Sequence, residues 1–185
     1  SDSDDFYPDN IVEERYPKCS SGIDITDGKW KLSFVEEHPR VRETFSLKGL
    51  QTWETLSDSA AVTMGTGVYE TVVKLSSALA SRQWYIDLGD VRESARVFVN
   101  GKYIGCAWAA PYILDCKNTL RQGRNTIRIE VTNLPANRIA DLDRRGVAWR
   151  KMKDINVVDI NYKRTTYENW GPVKSGLCGR VVLRD

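Results

Sequence analysis

The chain has 185 residues, 41% of them hydrophobic and 28% charged, which suits one globular domain with a real core. Its 27 basic and 25 acidic residues leave a net charge of +2, no electrostatic case for a nucleic-acid or membrane partner. No apolar run approaches the ~18 residues of a membrane-spanning helix, and the start at Ser1 without a visible signal peptide reads as that of a mature or trimmed chain.

Residues 1–28 are polar and turn-rich, with Pro8, Pro17 and Gly22. They read as an extended N-terminal segment or linker ahead of a domain spanning 29–185. Trp30 to Val35 is the first predicted strand, with Trp30, Leu32 and Phe34 on one face. Gly65-Thr66-Gly67 reads as a turn opening a strand from Val68 to Leu75, in which Tyr69, Thr71, Val73 and Leu75 share a face. Ser76 to Ser81 has room for one helical turn at most.

The stretch from Arg82 to Asn133 carries the strongest pattern. Trp84, Ile86 and Leu88 alternate with polar neighbours, as do Ala95, Val97 and Val99, and then Ile127, Ile129 and Val131. Period-two alternation marks half-buried strands with one face to a core and one to water. Asn100-Gly101 between two such runs predicts a two-residue hairpin, because both residues accept positive φ. Pro135 takes the chain out of the sheet. Ile139 to Gly176 is a long polar stretch studded with Trp149, Tyr162, Tyr167 and Trp170. Val181 and Leu183 mark a closing strand. Many short strands, almost no helix and frequent turns predict an all-β fold, an antiparallel β-sandwich.

Cys19, Cys106, Cys116 and Cys178 lack the paired C-x-x-C arms of a zinc ribbon. They read as buried free thiols, with a Cys106–Cys116 disulfide as the alternative. His38, the only histidine, stands in a polar loop, and no serine-nucleophile elbow, H-E-x-x-H, P-loop or dinucleotide fingerprint occurs. Carboxylates are plentiful, and a glycosidase needs two at the right separation, but with 25 acidic residues coincidental pairs are easy.

G-T-G-V-Y-E-T at 65–71, W-Y-I-D-L-G-D-V at 84–91, A-R-V-F-V-N-G-K at 95–102 and G-R-N-T-I-R-I-E-V-T-N at 123–133 occur in that order. Together they resemble the sugar-binding jelly-roll, or galactose-binding-like, domain of family 2 glycoside hydrolases. The nearer resemblance is to the C-terminal domain of bacterial α-L-rhamnosidase-type (family 106) enzymes. Those enzymes carry a W-x-x-P-Y-like loop, here Trp108 to Tyr112, and an N-L-x-x-N-R segment, here Asn133 to Arg138. Trp30 and Trp53 also stand where that family places tryptophans. This chain continues Asn137-Arg138-Ile139-Ala140-Asp141, without the glycine the family often has. The resemblance implies a jelly-roll fold and a noncatalytic accessory module of a secreted or periplasmic enzyme acting on plant or host glycans. Its catalytic barrel would lie elsewhere in the same polypeptide. It also implies no cofactor beyond a structural calcium, for which Asp24, Asp27, Asp141 and Asp143 are candidate oxygen donors.

The candidate ligand-binding residues are Trp108, Tyr112, Asn133, Asn137 and Arg138. Sugars are held by an aromatic plate on their C–H face and by planar polar groups on their hydroxyls. The two loops supply both kinds of group and each begins where an alternating strand stops. The competing readings are packing for the aromatics, turn capping for the asparagines and an ion pair for Arg138. A scaffold domain that packs on a catalytic barrel without binding sugar is the rival function, and an autonomous glycosidase the third.

Overall fold

The structure, a computed structural model, describes residues 10–11, 18–19, 22–38, 40–133 and 174–185. The larger sheet is built from β4 (Lys29–His38), β5 (Phe45–Lys48), β6 (Met64–Leu75), β9 (Ser94–Val99), β10 (Lys102–Ala107) and β12 (Gly123–Thr132). Their order is β10-β9-β12-β6-β4-β5, and β1 (Asn10–Ile11) adds a parallel pair to β6. The smaller sheet has the order β11-β7-β14-β3-β2, from β2 (Lys18–Cys19), β3 (Gly22–Asp24), β7 (Tyr85–Asp87), β11 (Ile113–Asp115) and β14 (Val182–Arg184). A short ladder joins β8 (Val91–Arg92) to β13 (Gly176–Leu177).

The alternating runs account for this layering. Ala95, Val97, Val99, Ile127, Ile129 and Val131 are fully buried on the inner face of the larger sheet. They meet Ile23, Ile86, Leu88 and Leu183 of the smaller one in a single core, the arrangement of a β-sandwich. Trp30, Trp53 and Trp84 are all buried, and the first two stack edge-on with Tyr69 and Phe34 respectively. Tyr69, wholly enclosed, accepts from Trp53 Nε1 at 3.0 Å and from the Leu177 amide, and donates to the Gln51 carbonyl. Burial pushes its phenol well above its usual pKa.

Three expectations need correction. The division at residue 29 falls inside the fold: β3 is an inner strand, and Ile23 and Ile25 lie in the core. Gly65-Thr66-Gly67 is no turn but part of β6, paired with β12 through Thr132. The glycine at 67 is there for space: a Cβ on it would come within 2.6 Å of the Trp53 ring. A helix was not expected at α1 (Asp58–Val62), whose N-cap Ser57 accepts from the Ala60 amide. The single helical turn expected near Ser76 is present as α2 (Ser77–Ala80).

The hairpin between β9 and β10 turns at Asn100 and Gly101, with φ of 51° and 78°, as the Asn-Gly pair requires. Its end of the sheet is fastened by an amide network. Asn125, fully buried, donates to the carbonyls of Arg121, Gly123 and Val73. Its oxygen accepts from the Arg121 amide and from Asn100 Nδ2, which also reaches the Thr119 carbonyl.

Candidate ligand-binding rim

The register decides where the two loops begin. Ala107 pairs with Ala95, and Ala95 with Val131, so β10 and β12 leave the larger sheet at the same end. Trp108 and Asn133 therefore emerge on one rim, opposite the Asn100–Gly101 hairpin. Trp108 is 76% exposed. Tyr112 is half-buried against the core, and its carbonyl accepts from the Leu88 amide at 2.8 Å.

Asn133 is different. It is buried; its Nδ2 donates to the Thr63 carbonyl at 2.7 Å and to Ser175 Oγ at 3.3 Å. Its Oδ1 accepts from the Gly65 amide at 3.0 Å. That amide side chain is committed to the fold, because a buried polar group left unpartnered is costly. Asn137 and Arg138 lie outside the described residues, as do Asp141, Asp143, Trp149, Tyr162, Tyr167 and Trp170.

Further hydrogen bonds run along the same rim. Cys178 N donates to the Asp90 carbonyl at 2.8 Å, and Trp53 N to the Ser175 carbonyl at 3.1 Å. They join the turn after β7 to the segment before β14, and that segment to the 3-10 turn at Trp53–Thr55. Beside that turn a cleft of about 520 Å³ opens, walled by Leu50 and Leu177 and lined with Thr26, Asp27, Thr52, Thr55 and Arg180; none of Trp108, Tyr112 or Asn133 lines it. It is shallow and largely open to solvent. The sequence offers no local signal for it, since its lining comes from three separate stretches, the last more than a hundred positions beyond the other two.

Arg180 organises one wall. Its guanidinium donates to the buried Asp24 carboxylate and, at 2.7 Å, to exposed Asp27. Burial raises the Asp24 pKa, but hydrogen bonds from Arg180 and Thr26 outweigh it, so the carboxyl titrates below its usual value. Arg180 is held correspondingly further into its cationic form by the same bonds. Two of the expected calcium donors thus hold a guanidinium instead. Among the described residues no three His, Cys, Asp or Glu side chains converge on a point. Cys106, Cys116 and Cys178 are free thiols, which removes the Cys106–Cys116 disulfide. Burial lifts Cys116 to about 12 and Cys178 to about 11, so neither is a ready nucleophile near neutral pH.

Residues 54–175 match the family described as glycosyl hydrolase 2 galactose-binding domain-like, and the chain belongs to that family. A putative beta-glucuronidase of Formosa agariphila is 28% identical over 175 residues, an alignment covering 84% of this chain and 15% of that protein. A rhamnosidase structure from Novosphingobium sp. PP1Y superposes with a TM-score of 0.66 at 27% identity, over 91% of this chain and 15% of that one. A Bifidobacterium dentium beta-glucuronidase shares the fold, with a TM-score of 0.60 at 16% identity over 94% of this chain and 31% of that one. The chain thus spans about 15% of the length of the curated relative it matches.

Proposed function

We propose that this chain is a noncatalytic carbohydrate-binding-like accessory module of a secreted or periplasmic bacterial glycoside hydrolase, rhamnosidase-like, acting on plant or host glycans. The observation that carries the reading is Trp108: an indole 76% exposed, in a short loop where an alternating strand of the larger sheet ends. A large exposed aromatic beside planar polar groups is what a sugar ring needs, apolar area under its C–H face and hydrogen bonds at its edge. The glycosidic chemistry would belong to a catalytic domain of the same polypeptide. The family and the small share of each glycosidase relative that the chain covers both support this division.

The rival is a scaffold that packs on a catalytic barrel through the same rim, and Asn133 favours it, since one expected ligand contact serves the fold. An autonomous glycosidase ranks third. Its two carboxylates must act on substrate, whereas Asp24 and Asp27 both engage Arg180. Titrating the chain with neutral rhamnose-containing oligosaccharides tests the first reading. Binding is expected, and Trp108→Ala should weaken it by roughly 1–3 kcal/mol, the range for losing a substantial aromatic contact. No binding, together with tight association to a separately produced catalytic domain, would favour the scaffold. Turnover of an aryl glycoside by the chain alone would favour the enzyme.

A further inference from the structure

The outer face of the larger sheet carries a second cluster of aromatic and planar polar groups, far from the rim residues in role and composition. Cross-strand register aligns Lys31, Glu70, Arg128, Phe98 and Tyr103 in one row across five strands. The neighbouring row places Glu130 opposite Arg96. At the β10 edge of the sheet the Phe98 and Tyr103 rings lie 5.4 Å apart between centroids. Guanidinium carbons flank them: Arg96 Cζ stands 5.5 Å from the Phe98 centroid and 5.9 Å from that of Tyr103, and Arg128 Cζ 5.6 Å from Phe98.

Both arginines share one carboxylate. Glu130 lies 3.1 Å from Arg128 and 3.6 Å from Arg96, and its side chain is 12% exposed. Counted with Lys31 and Glu70 of the adjoining row, three cations face two carboxylates, one positive charge in surplus. A guanidinium has five N–H donors, so each arginine keeps several for another acceptor. The Arg96 and Arg128 side chains are 60% and 47% exposed, and Tyr103 is 54% exposed. Edge strands are usually blunted with charge alone, whereas this one displays a contiguous aromatic pair.

We propose that Phe98, Tyr103, Arg96 and Arg128 form a binding site for a carboxylated sugar, a uronic acid within a glycan chain. The two rings, tilted 53° to each other, form an apolar patch at the β10 edge of the sheet, with Tyr103 the more open to solvent. The guanidiniums lie over the ring faces, and their remaining N–H groups offer a ring carboxylate the charge-assisted bidentate geometry that suits it. A nucleic acid fits less well, because Glu70 and Glu130 interrupt the basic row that a phosphate backbone would follow. The site shares no residue with the rim, so it stands or falls separately from the rim reading.

Trigalacturonate and its methyl ester, which keeps the rings and removes the charge, are the probes, titrated into the 185-residue chain by calorimetry. The acid is expected to bind, the ester at least roughly tenfold more weakly, and added salt to weaken the acid alone. Arg96→Gln and Arg128→Gln should each lower affinity for the acid roughly tenfold. Tyr103→Ala should lower it for the acid while leaving the unfolding midpoint close to that of the parent. Equal binding of acid and ester, or no binding of the acid, overturns the proposal. So does binding abolished by Trp108→Ala but kept in both glutamine variants, which would move the ligand to the rim.

Discussion

The two ends of the larger sheet are each fastened by a buried asparagine, yet one draws most of its partners from its own loop and the other from distant segments. At the hairpin end, Asn125 gathers Val73, Arg121, Gly123 and Asn100 within a stretch of β-strand ends and one loop. At the rim, Asn133 ties Thr63, Gly65 and Ser175, which come from remote parts of the chain. The hairpin end is closed by its own turn. The rim is assembled from long-range pieces, and its loops leave Trp108 in water.

Substitutions can break or sharpen this contrast. Asn125→Ala should be the most damaging, by about 3–4 kcal/mol in chemical unfolding, because it orphans several buried backbone groups at once. A loss below about 1 kcal/mol would mean that water or neighbours satisfy that end unaided. Asn133→Ala should cost about 2 kcal/mol. Sugar affinity of the folded fraction should be unaffected, which separates its fastening role from ligand contact; a large affinity loss at unchanged stability would reverse that assignment.

Asp24→Asn comes next, with about 1–2 kcal/mol lost at neutral pH through the weakened bonds to Arg180 and Thr26. The Asp24 carboxyl titrates below its usual 3.8 in the folded protein. Such a group contributes stability above the unfolded pKa and loses it as pH falls through the folded one. Unfolding free energy should therefore decline as pH drops below about 4, and the asparagine variant should flatten that part of the profile. At the hairpin, Gly101→Val should cost about 1 kcal/mol or more. Nothing lies within 4 Å of a Cβ there, so the penalty is one of backbone conformation alone. Smallest of all, Trp108→Ala should shift stability by less than about 0.5 kcal/mol, as for an ordinary surface position. A marked destabilisation would make that indole a packing residue.

The strands were legible wherever one side chain in two is apolar, as at Ala95, Val97 and Val99, because a half-buried sheet imposes that period. Gly65 to Gly67 misled for a physical reason: glycine in a strand and glycine in a turn look alike until Trp53, twelve or more positions away, is seen to need the space. The α1 cap was readable in Ser57-Asp58-Ser59 and was passed over. At the site, Trp108 could be picked out because it stands in a short loop after an alternating strand. Asn133 could not be assigned, since an amide that binds sugar and an amide that caps a loop have the same local sequence. The cleft was invisible for lack of any local signal, its walls at Thr26, Thr52 and Arg180 meeting only in three dimensions.

The position of β14 has a consequence for how the molecule is made. It lies between β7 and β3 in the smaller sheet although it follows every other strand in the chain. Val181 N and Thr26 Oγ1, 155 positions apart, are bonded at 2.8 Å beside it. During synthesis the early strand must therefore wait, with both it and β7 showing an unpaired edge, until residues 182–184 have left the ribosome. Pairings this distant form slowly, and open edges invite contact with other nascent chains. Translation that stalls before Val181 would leave a half-sandwich with its core exposed, a substrate for chaperones rather than a shorter working domain.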